Sequence, residues 1–138
     1  ALYDPARVAD LDPSRTETLV RVNLLGTLNV ARRAPPLLRD GGQLVLFGSV
    51  AGYLGLPGGQ AYSATKAAIN NLAESLRVEL APRVDVRLVC PGFVRSRLTE
   101  KNDFRMPAII DAWFSSSEKM MQPGRILPKV ASVASLEM

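Results

Sequence analysis

The sequence predicts an α/β fold with a doubly wound parallel sheet, of which the chain carries a part. Two helical patterns alternate with two short apolar runs, in the order helix, strand, helix, strand. The first run, "QLVLFGS" at 43–49, is continuously apolar, as in a strand that is buried on both faces of a parallel sheet. The second run, "VDVRLVCPG" at 84–92, follows a helix, as a right-handed crossover between parallel strands requires.

The first helix is predicted over residues 13–39. Asp12 is suited to the N-cap and Pro13 to the first helical position, and apolar residues then recur at helical spacing. Pro35 and Pro36 disturb the end of this helix.

The second helix is predicted over residues 60–81, after the glycine-rich loop "VAGYLGLPGGQ" and before Pro82. Tyr62 and Lys66 are four residues apart and therefore lie on the same helix face. A lysine ammonium beside a phenol favours the phenolate, so we expect Lys66 to lower the pKa of Tyr62 and make it a usable acid or base. The spacing alone also fits an ordinary buried tyrosine beside a lysine that extends to solvent.

Several polar or turn-forming residues are predicted to meet at one edge of the sheet. Ser49 ends the first strand, Pro91 and Gly92 end the second, and Tyr62 opens the helix between them. Ligands of parallel α/β sheets bind beyond the carboxyl ends of the strands. A hydroxyl at Ser49, thirteen residues before Tyr62, could bind a substrate carbonyl, although a serine that caps a turn is the alternative.

Composition excludes several classes of function. The chain has no histidine, which excludes Ser-His-Asp and Cys-His catalysis, and with a single cysteine, Cys90, the composition argues against a structural zinc site. The net charge of +4 is scattered and aromatic residues make up 6%, which argues against nucleic acid binding. No run of residues is long and apolar enough for a membrane helix and no signal pattern is present, so the cytoplasm is the expected location.

The segments "FGSVAG", "AYSATKAAI" and "VCPGFVRSRLT", in this order and spacing, resemble the short-chain dehydrogenase/reductase family. The resemblance extends from the first helix to about Ala112. It implies that residues 1–112 are the C-terminal part of a Rossmann-like, NAD(P)-binding domain. Residues 113–138 match the family poorly and are predicted to be a divergent tail.

The resemblance implies a role for each matching residue. Tyr62 would be the catalytic acid/base, and Lys66 would lower its pKa and hold the ribose hydroxyls of the nicotinamide. Ser49 would orient the reacting carbonyl or hydroxyl group. Asn23 matches a helix asparagine of the family that supports a proton-relay water, although a polar residue that bends or caps the helix is the alternative.

The cofactor contacts also follow from the resemblance. Pro91, Gly92 and Val94 match the segment that lines the nicotinamide. Ser96 replaces the usual threonine and keeps a hydroxyl for the amide or phosphate of the cofactor. The implied reaction is reversible hydride transfer between NAD or NADP and an alcohol/ketone pair. In such relatives the helices that match 13–39 and 60–81 often pack against a second subunit, so a homo-oligomer is expected.

The family's glycine-rich phosphate loop, G-x-x-x-G-x-G, is absent from the chain, as is the Asn-Asn-Ala-Gly stretch. We therefore expect a C-terminal part of a longer enzyme, which alone binds NAD(P) weakly or not at all. A non-catalytic remnant that acts as an interaction or binding module is the alternative. The loop at 53–59 and residues 97–114 are expected to form the substrate pocket. Their apolar side chains predict an apolar carbonyl substrate: Leu54, Leu56, Phe104, Met106, Ile109 and Ile110.

Overall fold

A computed structural model describes residues 1–92 of the chain. Its helices and strands follow the predicted order: α1 (Pro13–Val20), a π-helical segment (Arg21–Leu25), α2 (Gly26–Arg33), β1 (Gly42–Phe47), α3 (Gln60–Leu80) and β2 (Val84–Val89). The predictions for Val94, Ser96, the pocket residues at 97–114 and the tail at 113–138 lie outside the described residues.

The first predicted helix consists of α1, the π-helical segment and α2, which follow one another directly. The Asp12 side chain caps it by accepting hydrogen bonds from the backbone N–H groups of Ser14 (2.8 Å) and Arg15 (3.1 Å). The helix ends at Arg33, earlier than predicted, and a 3₁₀ turn follows at Pro35–Leu37. The reason is that two consecutive prolines have no N–H groups with which to continue the helical hydrogen bonds.

The two strands pair in parallel, in a register that runs from Gly42 opposite Val84 to Phe47 opposite Val89. Alternate residues of both strands point to one face, where α3 packs on them and α2 contributes Ala31. The buried residues of this core are Ala31, Leu44, Leu46, Ile69, Ala73, Leu76, Val84 and Val86. The positions 69, 73 and 76 have helical spacing, which explains why α3 presents them to the sheet.

The other face of the sheet corrects one prediction, because β1 is not buried on both faces. Val45 is 42% exposed and Phe47 61% exposed. Asp85 and Arg87 of β2 are also exposed and form an ion pair, with 2.7 Å between Arg87 Nε and Asp85 Oδ2. Within residues 1–92, the helices cover only one side of the sheet. The apolar side chains of β1 on the other side are therefore exposed, although the sequence of this strand fits burial on both faces. None of the helices in this part of the chain is long and apolar enough to cross a membrane.

Candidate active site

The carboxyl ends of β1 and β2 stay joined beyond the strands themselves. The Gly48 N–H group donates to the Val89 carbonyl (2.9 Å), and the Val50 N–H group donates to the Pro91 carbonyl (3.2 Å). Ser49 lies between these two hydrogen bonds. The structure therefore brings Ser49 next to Pro91 at one edge of the sheet, as the sequence predicts.

Ser49 is buried, and its side chain has two partners. Its Oγ accepts a hydrogen bond from the Ala51 N–H group at 3.1 Å, which caps the 3₁₀ turn at Val50–Gly52. The Ser49 side chain is also hydrogen-bonded to Tyr62. Ser49 therefore caps the turn, which is its alternative role, and it also contacts Tyr62 across the loop.

The direction of the Tyr62 pKa corrects a second prediction. Burial raises the pKa of Tyr62 above its usual value, and the hydrogen bond with Ser49 acts in the opposite direction. The expected lowering by Lys66 is wrong here, because the Lys66 ammonium donates to the Phe47 carbonyl (2.8 Å) and lies 5.7 Å from the centre of the Tyr62 ring. Desolvation of the phenol is therefore the larger effect.

Lys66 is buried although it carries a charge, with 5% of its surface exposed. Burial lowers the pKa of Lys66, and the nearby Cys90 thiol raises it to a smaller extent. The hydrogen bond to Phe47 at the end of β1 fixes the ammonium at the sheet edge. An amine so placed is a hydrogen-bond donor close to the Tyr62 ring.

Asn23 lies in the π-helical segment and is 3% exposed. Its side chain pairs with the backbone of Leu2 in both directions: Oδ1 accepts from the Leu2 N–H group (2.7 Å), and Nδ2 donates to the Leu2 carbonyl (2.8 Å). Nδ2 also lies 3.4 Å from the Thr65 hydroxyl on α3. The Asn23 amide thus connects the N-terminal segment to its own helix and to α3. The π-helical segment around Asn23 fits the alternative role, that of a polar residue that bends the helix.

Tyr3 is a site residue that sequence reasoning missed. Its ring meets the Tyr62 ring edge to face, with 5.1 Å between the centroids and an angle of 77° between the planes. Tyr3 is 59 positions before Tyr62, and no motif connects the two. Only the tertiary fold brings them together.

Asn70 is the second residue that was missed, although the four-residue spacing of Tyr62 and Lys66 continues to it. It is 5% exposed, and its Oδ1 accepts from the Cys90 thiol at 3.6 Å, while its Nδ2 has no hydrogen-bond partner among residues 1–92. The glycines on both sides of the Ser49 turn approach its amide. A Cβ on Gly48 would overlap with Asn70 Oδ1, and a Cβ on Gly52 would lie 2.6 Å from Nδ2.

The loop between β1 and α3 borders an open cavity of about 500 Å³. Neither Ser49, Tyr62 nor Lys66 lines this cavity, so it is distinct from the candidate active site. Leu56, expected to face a substrate, is only 7% exposed, and its N–H group donates to the Ser63 hydroxyl (3.2 Å). Leu56 therefore anchors the loop to α3.

Comparison with known proteins identifies the family of the chain. The family model described as short chain dehydrogenase matches residues 2–106. The chain belongs to the short-chain dehydrogenase/reductase family, whose members are oxidoreductases with a Rossmann-like fold.

Three relatives illustrate the similarity. An uncharacterised oxidoreductase of Myxococcus xanthus is 40% identical over 101 residues, which are 70% of this chain and 40% of that protein. The 11-beta-hydroxysteroid dehydrogenase A of Sesamum indicum is 39% identical over 80 residues, which are 57% of this chain and 23% of that protein. A short chain dehydrogenase of Burkholderia cenocepacia, solved in complex with NADP, superimposes with a TM-score of 0.68 and 31% identity, over 85% of this chain and 52% of that one. The chain thus spans less than half the length of these two curated relatives.

Proposed function

We propose that the protein is an NAD(P)-dependent oxidoreductase that interconverts an alcohol and a ketone. The observation that carries this proposal is the meeting of Ser49, Tyr62 and Lys66 at the carboxyl edge of a parallel sheet, with the Ser49 side chain hydrogen-bonded to Tyr62. A phenol so placed can exchange a proton with a substrate oxygen that Ser49 also binds. Family membership supports the class of reaction.

Tyr62 and Ser49 have different tasks in the proposed reaction. In the reducing direction, the Tyr62 hydroxyl donates its proton to the oxygen of the carbonyl, and solvent then restores that proton. In the oxidising direction, the Tyr62 phenolate accepts the proton of the alcohol. The Ser49 hydroxyl donates a hydrogen bond to the same oxygen and fixes its distance from Tyr62.

The residues of this edge fit a nicotinamide cofactor, either NAD or NADP. The buried Lys66 ammonium is a donor beside the Tyr62 ring, as binding of ribose hydroxyls requires. Within the described part of the chain the surface at Gly92 is open, because a Cβ there would meet no atom of residues 1–92 within 4 Å. Pro91 and Gly92, with Val94 and Ser96 beyond them, would line the nicotinamide. When bound, this group supplies or accepts the hydride, and a relative solved with NADP supports its choice.

Asn23 is proposed to support the proton supply of Tyr62. Its backbone carbonyl accepts from the Thr27 hydroxyl at 2.7 Å. The Asn23 side chain is occupied by the Leu2 backbone, so a relay water would be held beside this segment rather than by the amide.

The proposed substrate is an apolar carbonyl compound or the matching alcohol. The likeness to a relative named as a hydroxysteroid dehydrogenase supports this choice. Of the two loop leucines expected to contact substrate, Leu54 is half-buried and Leu56 lies in the interior. Leu56 nevertheless lines the open cavity beside the loop, so both leucines are candidate contacts.

We further propose a homo-oligomer that forms through the helices predicted at 13–39 and 60–81. Both present apolar side chains to the outside of residues 1–92. These are Val22, Leu25, Leu28 and Val30 on the first helix and Val78 on α3, all between 39% and 82% exposed. Light scattering of the full-length protein tests this proposal, and a monomeric mass at micromolar concentration would contradict it.

The proposed activity is tested by Tyr62→Phe in the full-length protein, which keeps the ring and removes the acid. We expect NAD(P)H-dependent reduction of a panel of apolar ketones to fall at least about 100-fold, because proton transfer by a placed side chain contributes this much. Ser75→Ala, an exposed change on the same helix, is the control and keeps full activity. Turnover that survives Tyr62→Phe would overturn the role of Tyr62. A folded wild-type protein that binds neither NADH nor NADPH would favour the non-catalytic binding module.

A further inference from the structure

We propose that Tyr3 is a positioning residue for the reaction, whose ring holds the Tyr62 ring and keeps it from solvent. This inference rests on the proposed function, and it assigns a task to a residue outside the family's motifs. Its basis is the edge-to-face contact between the two rings, 5.1 Å apart at 77°. That geometry is the favourable one for two aromatic quadrupoles, because the positive edge of one ring meets the negative face of the other.

Hydrogen bonds hold the N-terminal segment on both sides of Tyr3, so the position of its ring is fixed. On one side, the Leu2 backbone is bound in both directions by the Asn23 amide. On the other side, the Ala6 N–H group donates to the Gly58 carbonyl at 2.9 Å, in the loop that leads into α3. Asp4 adds an ion pair with Arg15 at 3.1 Å. Tyr3 thus lies between two attachment points, one at the π-helical segment and one at the loop that leads into α3.

Glycine at position 59 leaves room for the Tyr3 ring beside α3. A Cβ on Gly59 would lie 3.4 Å from Tyr3 Cε2 and 3.2 Å from Leu56 Cβ. The ring therefore packs into the junction where α3 begins, one turn before Tyr62. This packing restricts the ring planes of both tyrosines, and the Tyr62 hydroxyl is then aimed at Ser49.

Among residues 1–92, three groups face Tyr62 from the elements packed around it. Tyr3 comes from the N-terminal segment, Lys66 from its own helix, and the uncharged Ser49 from the loop after β1. Burial is the largest cause of the raised Tyr62 pKa, and the Tyr3 ring lies against the Tyr62 ring and covers part of it. Removal of the ring should let water reach the phenol and lower the pKa of Tyr62, whereas removal of the Tyr3 hydroxyl alone keeps the ring in place.

The test compares Tyr3→Ala and Tyr3→Phe in the full-length protein, with Val8→Ala as an exposed control in the same segment. Two readouts are used: the pH profile of kcat for alcohol oxidation, and the pKa of Tyr62 from ¹³Cζ-tyrosine NMR. For Tyr3→Ala we expect both to move to lower pH and kcat to fall roughly threefold to tenfold, the value of one aromatic pair. Val8→Ala should behave as wild type, and Tyr3→Phe, which keeps the ring, should move the Tyr62 pKa less than Tyr3→Ala does.

Other outcomes overturn the inference without reference to the proposed activity. An unmoved Tyr62 pKa in Tyr3→Ala would show that the ring does not shield Tyr62. An equal shift in Tyr3→Phe would assign the effect to the hydroxyl. If Tyr3→Ala does not fold by circular dichroism, Tyr3→Leu replaces it with the same expectation. The NMR titration stands even if Tyr62→Phe keeps its turnover, so failure of this inference and failure of the proposed function are distinguishable.

Discussion

At the scale of the residue, two opposing effects act on the pKa of Tyr62: burial and a hydrogen bond with Ser49. Burial disfavours the phenolate, while the Ser49 contact favours it. The sequence could predict that Ser49, Tyr62 and Lys66 lie near one another, because their spacing in the chain reflects a strand end and one helix turn. It could not give the balance of effects, since the Lys66 ammonium is engaged by the Phe47 carbonyl, a group with no sequence signal.

Ser49→Ala should therefore raise the pKa of Tyr62 further. The lost hydrogen bond is the contribution that lowers this pKa, so its removal leaves burial unopposed. Oxidation of an alcohol needs the phenolate, and the rising limb of its pH profile should move to higher pH. The profile of kcat for the variant tests this against Ser75→Ala. A limb that moves to lower pH would show that Ser49 does not stabilise the phenolate.

Gly48 and Asn70 should behave as a coupled pair. A Cβ on Gly48 would overlap with Asn70 Oδ1, so Gly48→Ala should lower the free energy of unfolding by about 1–3 kcal/mol. In the double variant with Asn70→Ala, the combined loss should be smaller than the sum of the single losses by about 1 kcal/mol. Denaturant unfolding measures all four proteins.

Gly55→Ala is the matched control for this cycle, because a Cβ there meets nothing within 4 Å among the residues that the structure describes. Its effect should stay within about 0.5 kcal/mol. Strict additivity of Gly48→Ala and Asn70→Ala would contradict the close approach. Asn70 could have been suspected from its position four residues after Lys66, but its contacts with the two glycines depend on the loop conformation.

At the scale of the element, caps and periodicity were predictable, whereas burial was not. Asp12 and Pro13 mark the helix start, and the order of helices and strands follows from apolar periodicity. The apolar run at β1 suggested two covered faces, because sequence reports the hydrophobicity of Val45 and Phe47 and not what packs on them. The π-helical turn around Asn23 likewise has no signature in a single sequence.

The Asp12 cap should make stability depend on pH on the acid side. Hydrogen bonds from Ser14 and Arg15 hold the pKa of Asp12 below its usual value, so the carboxylate stabilises the fold above the unfolded pKa. This contribution is lost as the pH falls through the lowered, folded pKa. Asp12→Asn keeps an acceptor that does not titrate, and the acid-side loss of stability should become smaller. Thermal unfolding at several pH values checks this against Asp10→Asn, and equal curves for both variants would contradict it.

At the scale of the whole molecule, the described residues form one helical layer on a two-stranded parallel sheet, with the site at its carboxyl edge. Family and fold could be predicted from three short segments, and the family match over residues 2–106 confirms them. The substrate was not predictable, because the sequence does not show which side chains of the loop face the interior and which face a ligand. Leu56, which lies in the interior, is the example.

The most direct test of the central claim compares two pKa values in the full-length protein with NADP bound. One is the kinetic pKa from kcat/KM for the alcohol at saturating NADP, and the other is the pKa of Tyr62 from ¹³Cζ-tyrosine NMR in the same complex with NADP. If Tyr62 is the base, the two values agree, and the kinetic limb disappears with the activity in Tyr62→Phe. Values that differ by more than about one unit, each unit being about 1.4 kcal/mol, would mean that another group accepts the proton.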